Sequence, residues 1–385
     1  MNSMVEVKPF KGIRPKHPAS FCIKPYDVIG DEELRELRQG DNAIHVILPE
    51  GDGDEVYDNA RRAFQEALEE HMTRDEPSVY LYRESSQAFT QRGFILAVSL
   101  DDYAAGRIKK HEETRKEPLE DRVRHIEATA ANTGLVWTVF RHRADITRLM
   151  DEAAAGQPIA DFDKYGYRHT LWQLSDSSTV EAIRDAFRDV ALYIADGHHR
   201  IRAAHEYGKR HDDREAQYVM VFVASDDEMR ILPYNRVIRR IDSDSFMEDI
   251  QRYFEVTRLG DPDEPDEHEI QLYYQGAWWQ LLPRNVPDDL VASLDVSILQ
   301  QQLLEPVLDI TDVRGDPNIF FEGGDLPRSH YEQLVHENGN AAVFYLHPTS
   351  IDDLESVADA QRNMPPKSTW FDPKLLTGLV FHMLR

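Results

Sequence analysis

The segment ALYIADGHHRIRAAHEYG, residues 191–208, combines acid, base and cation in one short stretch. An apolar run ends at Ala195, Asp196 follows, and Gly197 permits a tight turn. A helix-forming stretch then begins at His198 or His199. Such a strand–turn–helix junction aims free backbone N–H groups and the positive end of the helix dipole at one spot, which suits a phosphate. His198, His199 and Arg200 add donors beside the same turn, and an arginine can grip a phosphate through two parallel bonds. Asp196 stands where open α/β sheets place ligands, at the carboxyl end of its strand. Taken alone it reads as an N-cap. Zinc is disfavoured, because adjacent histidines do not share one ion as a helical i, i+4 pair does.

Two further stretches carry suitable chemistry. In KKHEET, residues 109–114, Glu112 is a candidate general base, since a carboxylate near a bound hydroxyl accepts its proton in the transition state. Lys109, Lys110 and His111 would hold negative charge nearby. Arg115 stands where the HExxH zinc motif would place its second histidine. In NMPPKSTWFDPKLLTGL, residues 363–379, the ammonium of Lys367 and the hydroxyls of Ser368 and Thr369 form a phosphate-friendly set without the glycines of a P-loop. The bland alternative is a loop that Trp370 and Phe371 anchor to the core. Lesser candidates are Arg14, then Tyr26 and Asp27 in IKPYDVIG, then Asn235 and Arg236 in ILPYNRVI.

Strand-like and helix-like runs alternate around these motifs, which predicts a mixed α/β or α+β fold. Strands are expected at Ile44–Leu48, Phe94–Ser99, Leu135–Phe140, Leu192–Ala195 and Tyr218–Ala224, among others. Helices are expected at Glu55–Arg74, Asp121–Asn132, His198–Tyr207 and Asp244–Phe254. The stretch GDPDEPDEHE, residues 260–269, reads as an acidic seam between an N-terminal region of 1–258 and a smaller C-terminal α+β region of 267–385. After it comes a hairpin turning at Gln275–Gly276.

Composition bounds the partners. The 44 basic and 70 acidic residues leave a net charge of −26, which argues against a nucleic-acid binder or a polybasic membrane module. Aromatic residues at 10% are too many for a disordered acidic chain. Cys22 is the single cysteine, so no internal disulfide or multi-cysteine metal site exists, and a reducing compartment fits. Without a long apolar run or a signal-peptide core, a cytoplasmic protein is the expectation.

The order VKPFKGIRP, PYDVI, KKHEET, IADGHHR, ILPYNRV, PPKSTWFDPK resembles a bacterial and archaeal family of unknown function whose members are often labelled ParB-like. The Asp-Gly-His-His-Arg stretch is similar to the ParB and sulfiredoxin superfamily, and the ordered set resembles the ADP-dependent free-serine kinases of archaea. That resemblance implies a ParB/sulfiredoxin-like core and a phosphotransferase acting on a small hydroxyl compound, free L-serine first, with ADP or ATP and Mg²⁺. It implies catalytic roles for Glu112 and Asp196, Asp196 also being a candidate Mg²⁺ ligand. Gly197, His198, His199 and Arg200, with Lys367, Ser368 and Thr369, would bind nucleotide and phosphate in a cleft between the two regions. The alternative it leaves is a ParB-like nucleotide-binding regulator without catalysis.

Overall fold

The computed structural model describes residues 5–324 and 326–385. The fold is mixed α/β, and the chain divides into two compact units. One is the chain up to Met229 together with Pro373–Arg385; the other is Arg230–Asp372. The acidic stretch 260–269 therefore lies inside the second unit, between its strands Phe254–Leu259 and Ile270–Tyr274.

The first unit is built on a twelve-stranded sheet. At its middle, Tyr218–Ser225 is buried at every position, lying antiparallel to Thr90–Ser99 and parallel to Val136–Phe140. A continuous apolar run of this kind suits a strand covered on both faces. Gly93 makes the packing possible, because a Cβ there would lie 2.5 Å from the Val223 carbonyl oxygen. Leu192–Asp196 pairs antiparallel with Val136–Phe140, and its register shifts between Ile194 and Asp196. Such a bulge re-aims the side chains at a strand end. On its other side Leu192–Asp196 runs parallel to the short strand Ile108–Lys109. Parallel pairing brings the carboxyl ends of both strands to the same end of the sheet, with KKHEET after one and Gly197 after the other.

Three expectations fail here for local reasons. Ile44–Ile47 is a helical turn rather than a strand. Asn42 ties it to the preceding helix, accepting from the Ile44 N–H at 3.0 Å and donating to the Leu37 carbonyl at 2.7 Å. A short buried apolar run has no periodicity that separates the two states. The helix from Glu55 stops at Glu70, and Met72–Ser85 is one long strand. Phe246–Ile250 is the only helical part of 244–254, and Phe254 opens a strand.

The second unit holds a six-stranded antiparallel sheet and a separate two-stranded ladder, Arg230–Leu232 with Trp370–Asp372. The hairpin Ile270–Tyr274 to Ala277–Pro283 turns on Gln275 and Gly276, at φ +50° and +72°. Positive φ at both central residues marks the two-residue hairpin turn that matches strand twist.

Candidate functional site

Gly197 sits at φ +96°, a conformation that L side chains rarely adopt. A Cβ there would also stand 3.1 Å from Arg200 Nε and 3.3 Å from the Val136 Cα. The turn therefore requires glycine twice over, for its backbone and for the guanidinium that crosses it. The Gly197 N–H donates to Asp196 Oδ1 at 2.8 Å, so the carboxylate is drawn over the start of helix His198–Gly208.

Asp196 Oδ2 receives Arg200 Nη2 at 3.2 Å, and Lys374 Nζ stands 3.9 Å away. Burial alone would raise this carboxyl. The Lys374 ammonium, the Arg200 guanidinium and the Gly197 N–H reverse that and hold it down at about 2. Arg200 Nη1 also donates to the Leu135 carbonyl. A guanidinium has five N–H donors, so these bonds fix its plane and leave capacity for an anion. Asp27 and Tyr26 lie within electrostatic reach of Arg200, although more than 170 residues separate them in sequence.

The second motif is tied to the first by three contacts. The His111 N–H donates to His198 Nε2 at 3.4 Å, and the Arg115 N–H donates to His199 Nε2 at 3.1 Å. Arg202 Nη1 donates to Thr114 Oγ1 at 3.0 Å. The loop carrying Glu112 is thus laced along the first turns of the helix. Burial pushes the His111 imidazole down to about 4 and the His198 imidazole well below its ordinary value. Their rings meet edge to face with centroids 4.6 Å apart. With Nε2 accepting, neutral His198 carries its proton on Nδ1, the one ring nitrogen left to donate.

A pocket adjoins Arg200. Ile47, Ile126, Val136 and Val219 supply apolar wall, and Tyr26, Asn132 and Thr133 supply polar edges. The Arg122 guanidinium stacks 4.6 Å over the Tyr26 ring. His125, also on the wall, is held at about 4 by burial, and its Nε2 bonds the Val46 carbonyl at 2.7 Å. The pocket is therefore apolar toward the core and cationic toward the Asp196 turn.

The structure brings together Asp196, Gly197, His198, His199, Arg200, Tyr26 and Asp27, with the Glu112 loop beside them. Arg14 lies elsewhere in the first unit, where Nε donates to Asp75 Oδ2 at 2.8 Å beside the Tyr80 hydroxyl. Arg236 is in the second unit, 2% exposed, donating to the Tyr234 carbonyl under the Phe321 ring. Lys367, Ser368 and Thr369 also belong to the second unit. Lys367 takes φ +59° and places Nζ 5.3 Å over the Tyr234 ring. Ser368 gives its hydroxyl proton to the Pro365 carbonyl at 2.7 Å. Trp370 covers Gly323, where a Cβ would lie 2.0 Å from the indole.

Lys374, Arg122 and the Asn132–Gly134 turn were not singled out from the sequence. Lys374 is one of only 11 lysines in an acidic chain, a scarcity that marks each of them for inspection. The residues present do not fit a Mg²⁺ held by the protein at Asp196. A divalent cation there would face Arg200 and Lys374, and among the described residues no three His, Cys, Asp or Glu side chains converge on a metal position. No helix of the described residues is long and apolar enough to cross a membrane.

Several solved structures are similar to this chain. A free serine kinase in complex with AMP aligns at TM-score 0.39 and 14% identity, covering 72% of this chain and 86% of that one. A truncated SbnI from Staphylococcus aureus aligns at TM-score 0.39 and 14% identity, covering 74% and 85%. A conserved hypothetical protein from Pyrococcus furiosus aligns at TM-score 0.38 and 13% identity, covering 72% and 90%. No curated protein matches the chain in sequence. Residues 7–297, which include the Glu112 loop, the Asp196 turn and the pocket walls up to Val219, match one family throughout, and the chain belongs to it: the family described as "Protein of unknown function (DUF1015)".

Proposed function

We propose that this chain is a small-molecule phosphotransferase that moves a phosphoryl group from ADP or ATP to a hydroxyl, with free L-serine the first substrate to test. The observation that supports it is the pairing of an apolar pocket with a cation-rich strand–turn–helix corner at Asp196–Arg200. A nucleotide has both characters, an apolar base and an anionic tail. In this reading the nucleoside enters the pocket beside Tyr26, and the phosphates meet Arg200 and the N-terminal end of helix His198–Gly208. Asp196 holds Arg200 and Lys374 in place between turnovers. His198 and His199 act chiefly by fixing the loop that presents Glu112, and His198 Nδ1 remains as a donor toward phosphate.

Phosphoryl transfer asks mainly for positioning and charge stabilisation. The substrate hydroxyl oxygen bonds to the terminal phosphorus, and its proton passes to Glu112. The bond from that phosphorus to the bridging oxygen breaks, releasing AMP from ADP or ADP from ATP. Mg²⁺ belongs to this reading as an ion carried on the nucleotide phosphates. The test is direct: purified protein incubated with serine, ADP or ATP and Mg²⁺ is expected to form phosphoserine. Absence of product with serine and with a panel of small hydroxy compounds would leave the non-catalytic regulator as the better account.

A further inference from the structure

The first unit contains a buried polar network that the reaction above does not use. Glu84 and Gln91 are cross-strand partners in the hairpin of Met72–Ser85 with Thr90–Ser99, and both are almost wholly buried. A buried carboxylate persists only where donors surround it. Glu84 Oε1 accepts from the Tyr82 hydroxyl at 2.9 Å and has His169 Nδ1 3.4 Å away, while Oε2 accepts from Gln91 Nε2. An amide that faces a carboxylate must present its NH₂ side, which carries two protons. The second proton of Gln91 goes to the Pro373 carbonyl at 3.2 Å. The Tyr82 hydroxyl is met by the Leu376 backbone, and Thr377 exchanges backbone hydrogen bonds with Ile23 at 2.9 and 3.0 Å. Lys374 lies between these holds, on the segment by which the chain returns to the first unit.

We propose that Gln91, oriented by Glu84, is a positioning residue for Lys374. It fixes the segment 373–377 so that the Lys374 ammonium stands against Asp196. Its consequence for ligand binding rests on the nucleotide reading given above; the positioning itself does not.

The experiment is a double-mutant cycle on the full chain, with ADP affinity read by calorimetry. Lys374→Met is expected to weaken ADP binding about tenfold, the worth of one charged contact. Gln91→Leu is expected to weaken it about threefold to tenfold, and to add nothing on the Lys374→Met background. Losses that multiply, or a folded Gln91→Leu protein with unchanged affinity, overturn the proposal. Should the parent protein bind no ADP, the nucleotide reading fails and hydrogen exchange decides the positioning claim. Gln91→Leu must then speed exchange at residues 374–376 about tenfold. Unchanged exchange overturns the claim. Tyr82→Phe loosens the same segment at Leu376 and takes the place of Gln91→Leu if that variant does not fold.

Discussion

The corner at Asp196–Arg200 and the stretch Lys367–Thr369 look alike as strings of phosphate-friendly residues, yet the fold sets them differently. At Asp196 a carboxylate gathers a guanidinium and an ammonium, a glycine at φ +96° clears the space, and a pocket adjoins. In the 367–369 stretch the Ser368 hydroxyl serves the Pro365 carbonyl, Thr349 donates to the Ser368 carbonyl at 2.9 Å, and Lys367 lies over Tyr234. One region arranges its charged groups around a common point. The other uses polar groups to fold a loop on which Trp370 is anchored against Gly323. The same residue types gather around one point only where neighbouring elements converge on them.

That contrast can be broken in several places. The largest effect is expected from Glu112→Gln, which should lower turnover about 100-fold to 10,000-fold while ADP affinity stays as it was. Rate assays beside calorimetry separate the two quantities, and a proportional fall in affinity would make Glu112 a binding group. Next comes acid sensitivity. His111 and His125 are held uncharged at about 4 by burial, whereas in the unfolded chain each would titrate near its ordinary value. The unfolded state therefore takes up the protons first, and stability is lost as pH falls from about 6.5 toward 4. Urea denaturation at pH 7 and pH 5 should differ by about 2 kcal/mol for each histidine, and His125→Gln should remove its share.

Arg14→Met tests whether a cation of the first unit matters outside the corner. Its pair with Asp75 is largely buried, so about 1–3 kcal/mol of stability should go without any change in ADP affinity. The smallest effect is expected from Lys367→Met, a change in ADP affinity of about threefold or less, since its ammonium lies over the Tyr234 ring of the second unit. A loss matching that of the corner residues would put the two regions on equal terms.

Some of this arrangement can be seen in the amino-acid string. The run LYIA before Asp196, the glycine after it and the helix from His198 are local signals, and the strand Leu192–Asp196 and helix His198–Gly208 follow them closely. The hairpin at Gln275–Gly276 is equally local. Ile44–Ile47 is not, because three apolar residues around a histidine carry no period and the deciding contacts come from the Asn42 side chain. Nor was the company kept by Asp196 and Arg200 legible. Tyr26 and Asp27 arrive from far upstream and Lys374 from far downstream, beside a single Ile23–Thr377 backbone bridge that no local pattern encodes. The two histidines show the limit best. Their positions were evident from the motif, but that Nε2 of each accepts a backbone N–H from the Glu112 loop depends on Ile108–Lys109 lying parallel to Leu192–Asp196.

ADP titration of Arg200→Met measures whether the Asp196–Arg200 corner binds the phosphates of a nucleotide. Saturable binding to the parent protein, weakened about 10-fold to 100-fold in Arg200→Met and retained in Arg14→Met, is the predicted result. Equal ADP affinity in the parent and Arg200→Met proteins, or no binding to either, would contradict it.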